Sequence, residues 1–400
     1  MKKLSINILL SSLLTILMSS CADKHNVQTI SVFNDLTLER KNETVVLKKT
    51  TLDNGLQQHF NSLVITEVVS SEVIPSQKVD LDEDGNLDAI LFQPNLDAGQ
   101  KEKLYTIRKK ASDDSIEMDT IAYARFVPER LDDYAWENDK VAFRVYGPKA
   151  REWSKKGLKD GVNTSGIDCW LKRVNYPIID KWYQGFVSGT ANYHKDTGEG
   201  LDNYYVGTSL GCGGLGVLSD TLLFTSGNYH DYKQLSNGPI RTNFKLYYNP
   251  WNAGDVKVSQ VNTISLDKGS NLTRYKVKFD KNIKEVVVGL PLIQQIKEKD
   301  VGEAKQWVGV WQDQQDAKLG LGIVVDPAYV IDTLEFTSLQ KDKSHVFIKL
   351  KPIDNAISYY AGFGWSKSGQ FNTHSDWFSY LDNFSQKLNS PLRIKVNSSK

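Results

Sequence analysis

Residues 272 to 279 read Leu-Thr-Arg-Tyr-Lys-Val-Lys-Phe, and this alternation of apolar and charged side chains is typical of a β-strand with one buried face. The apolar face carries Tyr275, Val277 and Phe279, and the charged face carries Arg274, Lys276 and Lys278. Comparable runs span residues 242–248, 256–266, 286–290, 321–325 and 346–350. Long antiparallel strands of this kind predict a mainly β protein built around a large β-sandwich.

The chain divides into a small and a large domain. Residues 22–115 hold short alternating runs separated by turn residues, which predicts a small all-β domain. An acidic and polar stretch near residue 115 reads as a linker, so residues 116–400 form the large sandwich domain. Phe186–Val187 reads as one further short strand within it.

One C-terminal helix is predicted. Its apolar stripe at helical spacing consists of Trp377, Leu381, Phe384 and Leu388. Ser375 precedes the stripe as a candidate cap and Pro391 follows it. We expect this helix to dock on the sandwich.

The first residues resemble an export signal. Lys2 and Lys3 precede an apolar run that is shorter than the ~20 residues needed to span a bilayer. Met18-Ser19-Ser20-Cys21 looks like a bacterial lipoprotein box. This predicts a signal peptide over residues 1–20, a lipidated Cys21 and an outer-membrane lipoprotein that faces the periplasm or the cell surface. The lipid would be the only membrane contact. The alternative is an ordinary signal peptide cleaved nearby.

The composition excludes some partners and leaves others open. The net charge of +1 provides no field that would recruit nucleic acid. The chain has 9 Trp and 18 Tyr, residues that suit the faces of sugar rings when they are exposed. Export would permit a disulfide between Cys169 and Cys212, but the sequence does not show whether they meet.

Residues 125–148 combine arginines, carboxylates, an amide and aromatic side chains in one segment that ends as a strand. Aromatic faces stack on sugar rings, arginine holds a carboxylate in a forked pair, and Asp, Glu and Asn bind hydroxyls. The segment therefore predicts a site for an anionic oligosaccharide.

Two further stretches carry residues suited to acid–base chemistry. The loop from Tyr193 to Tyr204 contains His194 and several carboxylates, a set that could transfer protons. Its alternative reading is a polar surface loop. Arg241 opens a strand beside a tight turn, where it could clamp a carboxylate or form an edge salt bridge.

We expect no cofactor and no catalytic metal. Gly211, Gly213 and Gly216 match dinucleotide-binding spacing, but the following residues read as a hairpin instead of a helix. The glycines more readily permit a close backbone approach. The histidines lack zinc-ligand spacing. The aspartates from Asp80 to Asp88 fit either an Asp-Gly hairpin, which we prefer, or a β-type calcium loop.

Together these segments resemble a family of uncharacterised secreted proteins from bacterial polysaccharide-utilisation loci. The matching segments are residues 127–139 and 142–148, His194 with 198–200 and Asp202, 211–214, 238–241, 80–88 and 364–368. The resemblance implies a mutarotase-like β-supersandwich. Within the family, the chain is similar to ulvan-oligosaccharide dehydratases. These eliminate water from a non-reducing-end glucuronic or iduronic acid linked to sulfated rhamnose, giving a 4,5-unsaturated uronate.

Such an elimination needs a base for the C5 proton, an acid for the C4 hydroxyl and a group that neutralises the carboxylate. We assign proton transfer to His194 and Tyr204, without deciding which is the base. Carboxylate binding is assigned to Arg241, with Arg144 and Asn138 as helpers. Trp136 is the candidate stacking platform and Glu137 the candidate hydroxyl partner.

Two other functions use nearly the same residues. A polysaccharide lyase performs the same elimination with a sugar as the leaving group, and the residues alone do not separate it from a dehydratase. A non-catalytic sugar-binding lipoprotein would keep the aromatic residues and Arg241 but would not need His194.

Overall fold

The computed structural model describes residues 27–114, 118–292 and 298–397, which form mainly antiparallel β-sheets. The mainly β fold predicted from the alternating runs is thus confirmed. The predicted signal peptide and Cys21 lie outside the described residues. Within the described ranges, no helix is both long and apolar enough to cross a membrane.

The first seven strands form a small unit of two sheets. They are β1 (Val27–Phe33), β2 (Val45–Lys48), β3 (Leu63–Glu67), β4 (Val73–Ile74), β5 (Ser76–Val79), β6 (Ala89–Phe92) and β7 (Glu102–Lys109), with the short helix α1 (Asn54–Gln58) after β2. One sheet has the order β1-β7-β3-β4 and the other has the order β2-β6-β5. Apolar side chains of both sheets, such as Ile30, Phe92 and Ile107, share one core.

A second group of strands holds most residues of the predicted sugar site. It consists of β8 (Tyr123–Val127), β9 (Asp133–Glu137), β10 (Ala142–Val145), β11 (Asp168–Lys172) and β12 (Gly200–Leu201), with helices α2 (Pro148–Lys155) and α3 (Ile179–Val187). The strands form one antiparallel sheet in the order β12-β11-β10-β9-β8. Phe186–Val187 belongs to α3, so the predicted strand there is wrong. Ile179, Trp182 and Tyr183 form an apolar face at helical spacing, and they pack against this sheet.

The remaining strands complete the sandwich, except for the last of them, which joins the first sheet. They are β13 (Gly214–Ser219), β14 (Leu222–Phe224), β15 (Asp231–Ser236), β16 (Arg241–Ala253), β17 (Val256–Asp267), β18 (Leu272–Phe279), β19 (Val286–Pro291), β20 (Glu298–Val301), β21 (Trp307–Gln314), β22 (Ala317–Val325), β23 (Val330–Phe336), β24 (His345–Leu350), β25 (Ala356–Trp365) and β26 (Arg393–Val396), with helix α4 (His374–Asn389). Eight of them form the sheet β15-β16-β17-β18-β25-β22-β21-β20, and five form β14-β13-β19-β24-β23.

The eight-stranded sheet shares its core with two five-stranded sheets, the one that contains β9 and β10 and the one that contains β19. Tyr275 and Val277, on the apolar face predicted for β18, pack in one cluster with Val288 of β19. Trp136 of β9 and Phe143 of β10 belong to the same cluster. The strand alternation therefore places one continuous apolar layer between the large sheet and two smaller sheets.

Helix α4 packs on β21 and β22, against a separate apolar cluster that includes Trp307 and Trp311. Trp377 and Leu381 are fully buried there, as predicted for the apolar stripe. Thr373 caps the helix in a capping box with Asp376, so the prediction of Ser375 as the cap is wrong.

Gly320 of β22 allows α4 to approach the sheet closely, because an added Cβ would lie 2.6 Å from Cδ1 of Trp377. We expect Gly320→Ala to lower the free energy of unfolding by about 1–3 kcal/mol through overpacking. Urea denaturation measures this. Lys318→Ala on the same strand is the control. Its ammonium pairs with the exposed Asp313, so a change below about 1 kcal/mol is expected. Equal effects of the two changes would contradict the packing argument.

The C-terminal strand β26 leaves the sandwich and pairs with β1, with Ile30 opposite Val396. It thereby becomes the edge strand of the first sheet, which has the full order β26-β1-β7-β3-β4. The predicted boundary near residue 115 stays a prediction. The last described strand belongs with the N-terminal sheet and not with the sandwich.

Candidate functional site

A cavity of about 740 Å³ brings three of the predicted site residues together. His194, Tyr204 and Arg144 all line it. The other lining residues are Tyr146, Ser154, Gly161, Val162, Asn163, Asp202, Asn203, Tyr205, Val206, Gly207 and Thr208. The walls thus come from the end of β10, from α2 with the loop that follows it, and from residues 202–208 after β12.

His194 lines this cavity, and its Nε2 has no hydrogen-bond partner among the described residues. Its side chain is 48% exposed, and its Nδ1 lies 2.7 Å from the backbone oxygen of Asp202. Because a carbonyl oxygen only accepts hydrogen bonds, Nδ1 carries the proton in the neutral ring and Nε2 keeps its lone pair. The ring packs edge-on against Tyr193, with the ring centroids 4.6 Å apart. His194 is therefore held in an orientation suited to a general base.

Tyr204 offers a hydroxyl that has no hydrogen-bond partner among the described residues. Its side chain is buried, and burial raises the pKa of this phenol well above its ordinary value. The hydroxyl therefore stays protonated at neutral pH, but its oxygen is buried near Cys169 and Cys212 and is not exposed at the cavity surface.

Arg144 lies at the centre of a buried cluster of charges. Its Nε and Nη2 donate to Oδ2 of Asp168, at 3.0 and 2.5 Å, and the same Nη2 donates to Oδ2 of Asp202 at 3.0 Å. Its Nη1 lies 3.6 Å from Asp133. The Tyr146 hydroxyl donates to Asp168 at 3.3 Å. Side chains from three adjacent strands and the loop after β12 thus meet at one guanidinium.

The cluster contains more carboxylates than positive charges. Arg144 and Arg130 are the arginines whose charges act on Asp133, among the described residues. Burial raises the pKa of Asp133 to about 6. Burial also raises the pKa values of Asp168 and Asp202, and the neighbouring Asp202 raises that of Asp168 further. The cluster therefore holds on to a proton more readily than isolated aspartates do.

Trp136 is a core residue, not the predicted stacking platform. Its side chain is fully buried, its Nε1 donates to Thr273 Oγ1 at 3.0 Å, and its ring stacks on Phe143. Both faces of β9 are covered, so alternation along this strand does not bring any side chain to solvent. A sugar ring cannot reach this indole.

Glu137 and Asn138 are also structural instead of substrate-binding. Glu137 is fully buried, pairs with Lys172 at 2.7 Å, and accepts hydrogen bonds from the backbone nitrogens of Ile178 and Ile179. It therefore satisfies the first N–H groups of α3. Asn138 donates from Nδ2 to the backbone oxygens of 267 and 270, and its Oδ1 accepts two backbone N–H groups of its own turn.

Arg241 does not line the cavity. Its guanidinium forms a forked pair with Asp267 of the neighbouring strand, at 2.5 and 2.7 Å, and its backbone nitrogen donates to Gln77 of the N-terminal unit. This is the edge salt bridge that the sequence left as the alternative. The structure gives no support to the predicted catalytic role of Arg241, and Arg144 is the arginine at the cavity.

The sequence did not single out Asp168 as a member of the site, and it marked Asp133 only as one carboxylate of residues 125–148. Each is the first residue of a strand and is fully buried, and both lie beside Arg144. Their register relative to Arg144, with 144 opposite 168 on β11, depends on the pairing of strands. The only signal was a charged residue at the start of an apolar run. Tyr146 and Asp202 did lie in stretches marked for their chemistry.

Two other predicted features lie elsewhere. Asp80, Asp82 and Asp88 have carboxylate oxygens within 4.8 Å of one another, on the loop that joins the hairpin strands β5 and β6. Oxygen ligands of this kind suit calcium, and calcium binding there stays a prediction.

Cys169 and Cys212 are buried free thiols. Burial and the neighbouring Cys212 raise the pKa of Cys169 well above its ordinary value.

A buried histidine supports the cavity from the neighbouring sheet. His345 Nε2 accepts from the backbone nitrogen of Leu210 at 3.1 Å, and Nδ1 donates to the backbone oxygen of Lys343 at 2.8 Å. Burial lowers the pKa of His345 to about 4. The folded protein therefore keeps this ring neutral over a pH range in which the unfolded chain binds a proton.

This pKa predicts a pH-dependent contribution to stability. Because the folded pKa lies below the unfolded value of 6.5, stability is lost as pH falls from about 6.5 to about 4. We expect the loss from His345 to reach about 3 kcal/mol. The measurement is urea denaturation of the wild type and His345→Gln across this range. The wild type should lose more stability on acidification than the variant, and parallel curves would contradict the assignment.

The fold and the cavity together define a mainly β sandwich protein with a histidine, a tyrosine and a buried aspartate–arginine cluster at one concave site. A family model described as a domain of unknown function, DUF4861, matches residues 32–394. The chain is 39% identical over 384 residues to "Uncharacterized protein P7" of Formosa agariphila, a match that covers 95% of this chain and 96% of that protein. The chain therefore belongs to the DUF4861 family.

Two solved structures show distant likeness. An alpha-mannosidase from Enterococcus faecalis V583 aligns with 94% of this chain at a TM-score of 0.42 and 9% identity, and 46% of that protein is covered. A glycosyl hydrolase family 38 protein from Enterococcus faecalis aligns with 94% of this chain at a TM-score of 0.41 and 9% identity, with 48% of it covered. The chain spans about half the length of these two proteins.

Proposed function

We propose that the protein removes water from the non-reducing-end uronic acid of an anionic oligosaccharide and leaves a 4,5-unsaturated uronate. The proposed substrate is glucuronic or iduronic acid linked to sulfated rhamnose, as in ulvan. The observation that supports this best is the pairing of two unlike proton-transfer groups in one cavity. His194 has a free Nε2, and Tyr204 has an unpartnered, protonated hydroxyl.

The reaction needs one proton to leave C5 and one to reach the C4 oxygen. In our proposal Nε2 of His194 takes the C5 proton, and the electron pair of the broken C–H bond forms the C4–C5 double bond. The C4–O bond breaks, and the leaving hydroxyl takes the Tyr204 proton and departs as water, a step that requires the buried phenol to turn toward the cavity. The proton on His194 then returns through solvent to the tyrosinate. Burial raises the pKa of Tyr204 and keeps the phenol protonated before the step, which fits the role of acid and not that of base.

Positive charges near the cavity support an anionic substrate. The Lys341 ammonium lies 5.1 Å from the ring centroid of Tyr205, which lines the cavity. Lys343 Nζ donates to the backbone oxygen of Thr208, another lining residue, at 2.9 Å. These two lysines would attract sulfate or carboxylate groups of the sugars that follow the reacting uronate.

The test is incubation with saturated oligosaccharides that carry a uronic acid at the non-reducing end, followed by mass spectrometry and ultraviolet absorbance. Loss of one water at unchanged chain length, with new absorbance from the unsaturated acid, is expected. Shorter unsaturated products would identify a polysaccharide lyase instead. Binding without turnover would identify a sugar-binding protein.

We also propose that the protein is an exported lipoprotein anchored through Cys21 in the outer membrane. The support is the segment Met18-Ser19-Ser20-Cys21 after an apolar run. Labelling of expressing cells with radioactive palmitate tests this, with Cys21→Ala as the control. Label in both proteins, or in neither, would refute the anchor.

A further inference from the structure

Arg144 is the cationic side chain that lines the cavity, but its donors are already engaged. Nε and Nη2 bond to Asp168 and Asp202, and Nη1 faces Asp133. A substrate carboxylate at this arginine would be a fourth negative group around one guanidinium. Like charges in a buried site repel strongly, so Arg144 alone is a poor clamp for a uronate.

Asp202 is the carboxyl group of this cluster that reaches the cavity surface. It lines the cavity, whereas Asp168 and Asp133 lie beneath it and are fully buried. Oδ2 of Asp202 bonds to Arg144 Nη2, and the same nitrogen bonds to Oδ2 of Asp168. Two carboxyl oxygens that share one N–H donor are close neighbours, and they are most stable when one carboxyl group keeps its proton.

The charges around Asp202 support a retained proton. Arg144 and Arg130 face it as cations and Asp133 faces it as an anion, while the charge of Asp202 in turn raises the pKa of the neighbouring Asp168. Two other titratable groups lie close by: His194, whose Nδ1 is 3.6 Å from Oδ2 of Asp202, and Tyr193 of the same loop, on whose pKa Asp202 acts. With three carboxyl groups and two arginines, the buried cluster reaches neutrality when it holds one proton.

We propose that Asp202 is a further catalytic residue, which meets the substrate carboxylate as a neutral acid and donates a hydrogen bond to it. This inference rests on the proposed elimination. As the C5 proton leaves, negative charge spreads onto the carboxylate oxygens, and a donor already aimed at them stabilises that charge. No covalent bond to Asp202 forms or breaks during the step. A protonated aspartic acid serves an enzyme in this way when burial keeps it neutral.

The first test is the pH profile of kcat/KM for Asp202→Asn. An amide keeps an N–H donor and cannot ionise, and the backbone oxygen that holds His194 is retained. The wild type should lose activity on the alkaline side of its profile, where the cluster releases its proton. The variant should be up to about tenfold slower at pH 6 and should show no such alkaline loss. An unchanged alkaline limb would overturn the proposal.

The second test removes the negative charge of a cluster carboxylate that does not contact the substrate. Asp133→Asn leaves two arginines facing two carboxylates, so Asp202 should release its proton more easily. The alkaline limb of the pH profile should therefore move to lower pH, which is opposite to the effect of Asp202→Asn. If the cluster has only a structural role, the two variants should not change the alkaline limb in opposite directions. Shifts in the same direction would overturn the proposal.

A third measurement requires neither catalytic activity nor a variant of the fully buried aspartates. Carbon-13 NMR of wild-type protein labelled at aspartate carboxyl groups should show at least one carboxyl that still titrates above pH 6, and comparison with Asp202→Asn assigns the signal. If all aspartates titrate below about pH 5, Asp202 is an ordinary carboxylate and the inference fails. If a late-titrating Asp202 is found but no unsaturated product forms, the proposed function fails instead.

Discussion

His194→Ala is expected to lower kcat for water elimination from a uronate-ended oligosaccharide by about 10²- to 10⁴-fold. The reason is geometric. The Asp202 carbonyl holds the ring by Nδ1, which leaves Nε2 as the nitrogen that can accept a proton in the neutral ring, and alanine removes that nitrogen. The side chain is about half exposed, so its loss should leave the fold intact. Initial rates by ultraviolet absorbance, with thermal melting alongside, provide the measurement.

The adjacent Lys195 supplies the control, because it is exposed, lies in the same loop and does not line the cavity. Lys195→Ala should retain turnover within about threefold, as expected for a surface charge away from the chemistry. Substrate binding by the His194 variant should remain close to that of the wild type. If His194→Ala keeps near wild-type turnover, His194 is not the base, and another group must take the C5 proton.

The second large effect concerns stability. We expect Arg144→Leu to lower the free energy of unfolding by about 3–5 kcal/mol, because removal of one partner leaves Asp168, Asp202 and Asp133 buried without their shared cation. Urea denaturation measures the loss. The penalty should shrink at pH values below about 4, where the carboxyl groups of the variant are neutral in both states.

Arg393 provides the matched control for Arg144. It also forms a forked pair with an aspartate, Asp35, but both side chains are largely in solvent. Solvent screens such a pair, so Arg393→Ala should cost far less stability than Arg144→Leu. Similar losses for the two arginines would contradict the argument that burial, and not pairing, sets the importance of Arg144.

The strands of the sandwich were predictable because one face of each packs on the core. Arg274 and Lys276 remain exposed while Tyr275 and Val277 are buried, as the two-residue period requires. The same rule failed on β9, where both faces are covered and Trp136 lies in the core. α3 was missed because its apolar positions are few and a short apolar run is ambiguous between helix and strand.

The candidate site could be predicted in part. His194, Tyr204 and Asp202 lie on one short loop, so the sequence alone placed them close together. Arg144 was named, but its partners on β9 and β11 are brought to it by strand pairing, which a single sequence does not reveal. Arg241 and Glu137 had the right chemistry for a sugar site, but the fold uses both in ion pairs.

The pairing of β26 with β1 has a consequence for how the protein reaches its native state. β1 is made early and β26 late, so the backbone groups on one edge of β1 have no partner until nearly the whole chain is present. During that interval the unpaired edge can form hydrogen bonds with a strand of another molecule, and the apolar side chains of Ile30 and Val32 favour such association. Contacts this far apart in sequence also form slowly. β26 thus covers this edge late in folding, and this pairing blocks self-association through the edge of β1.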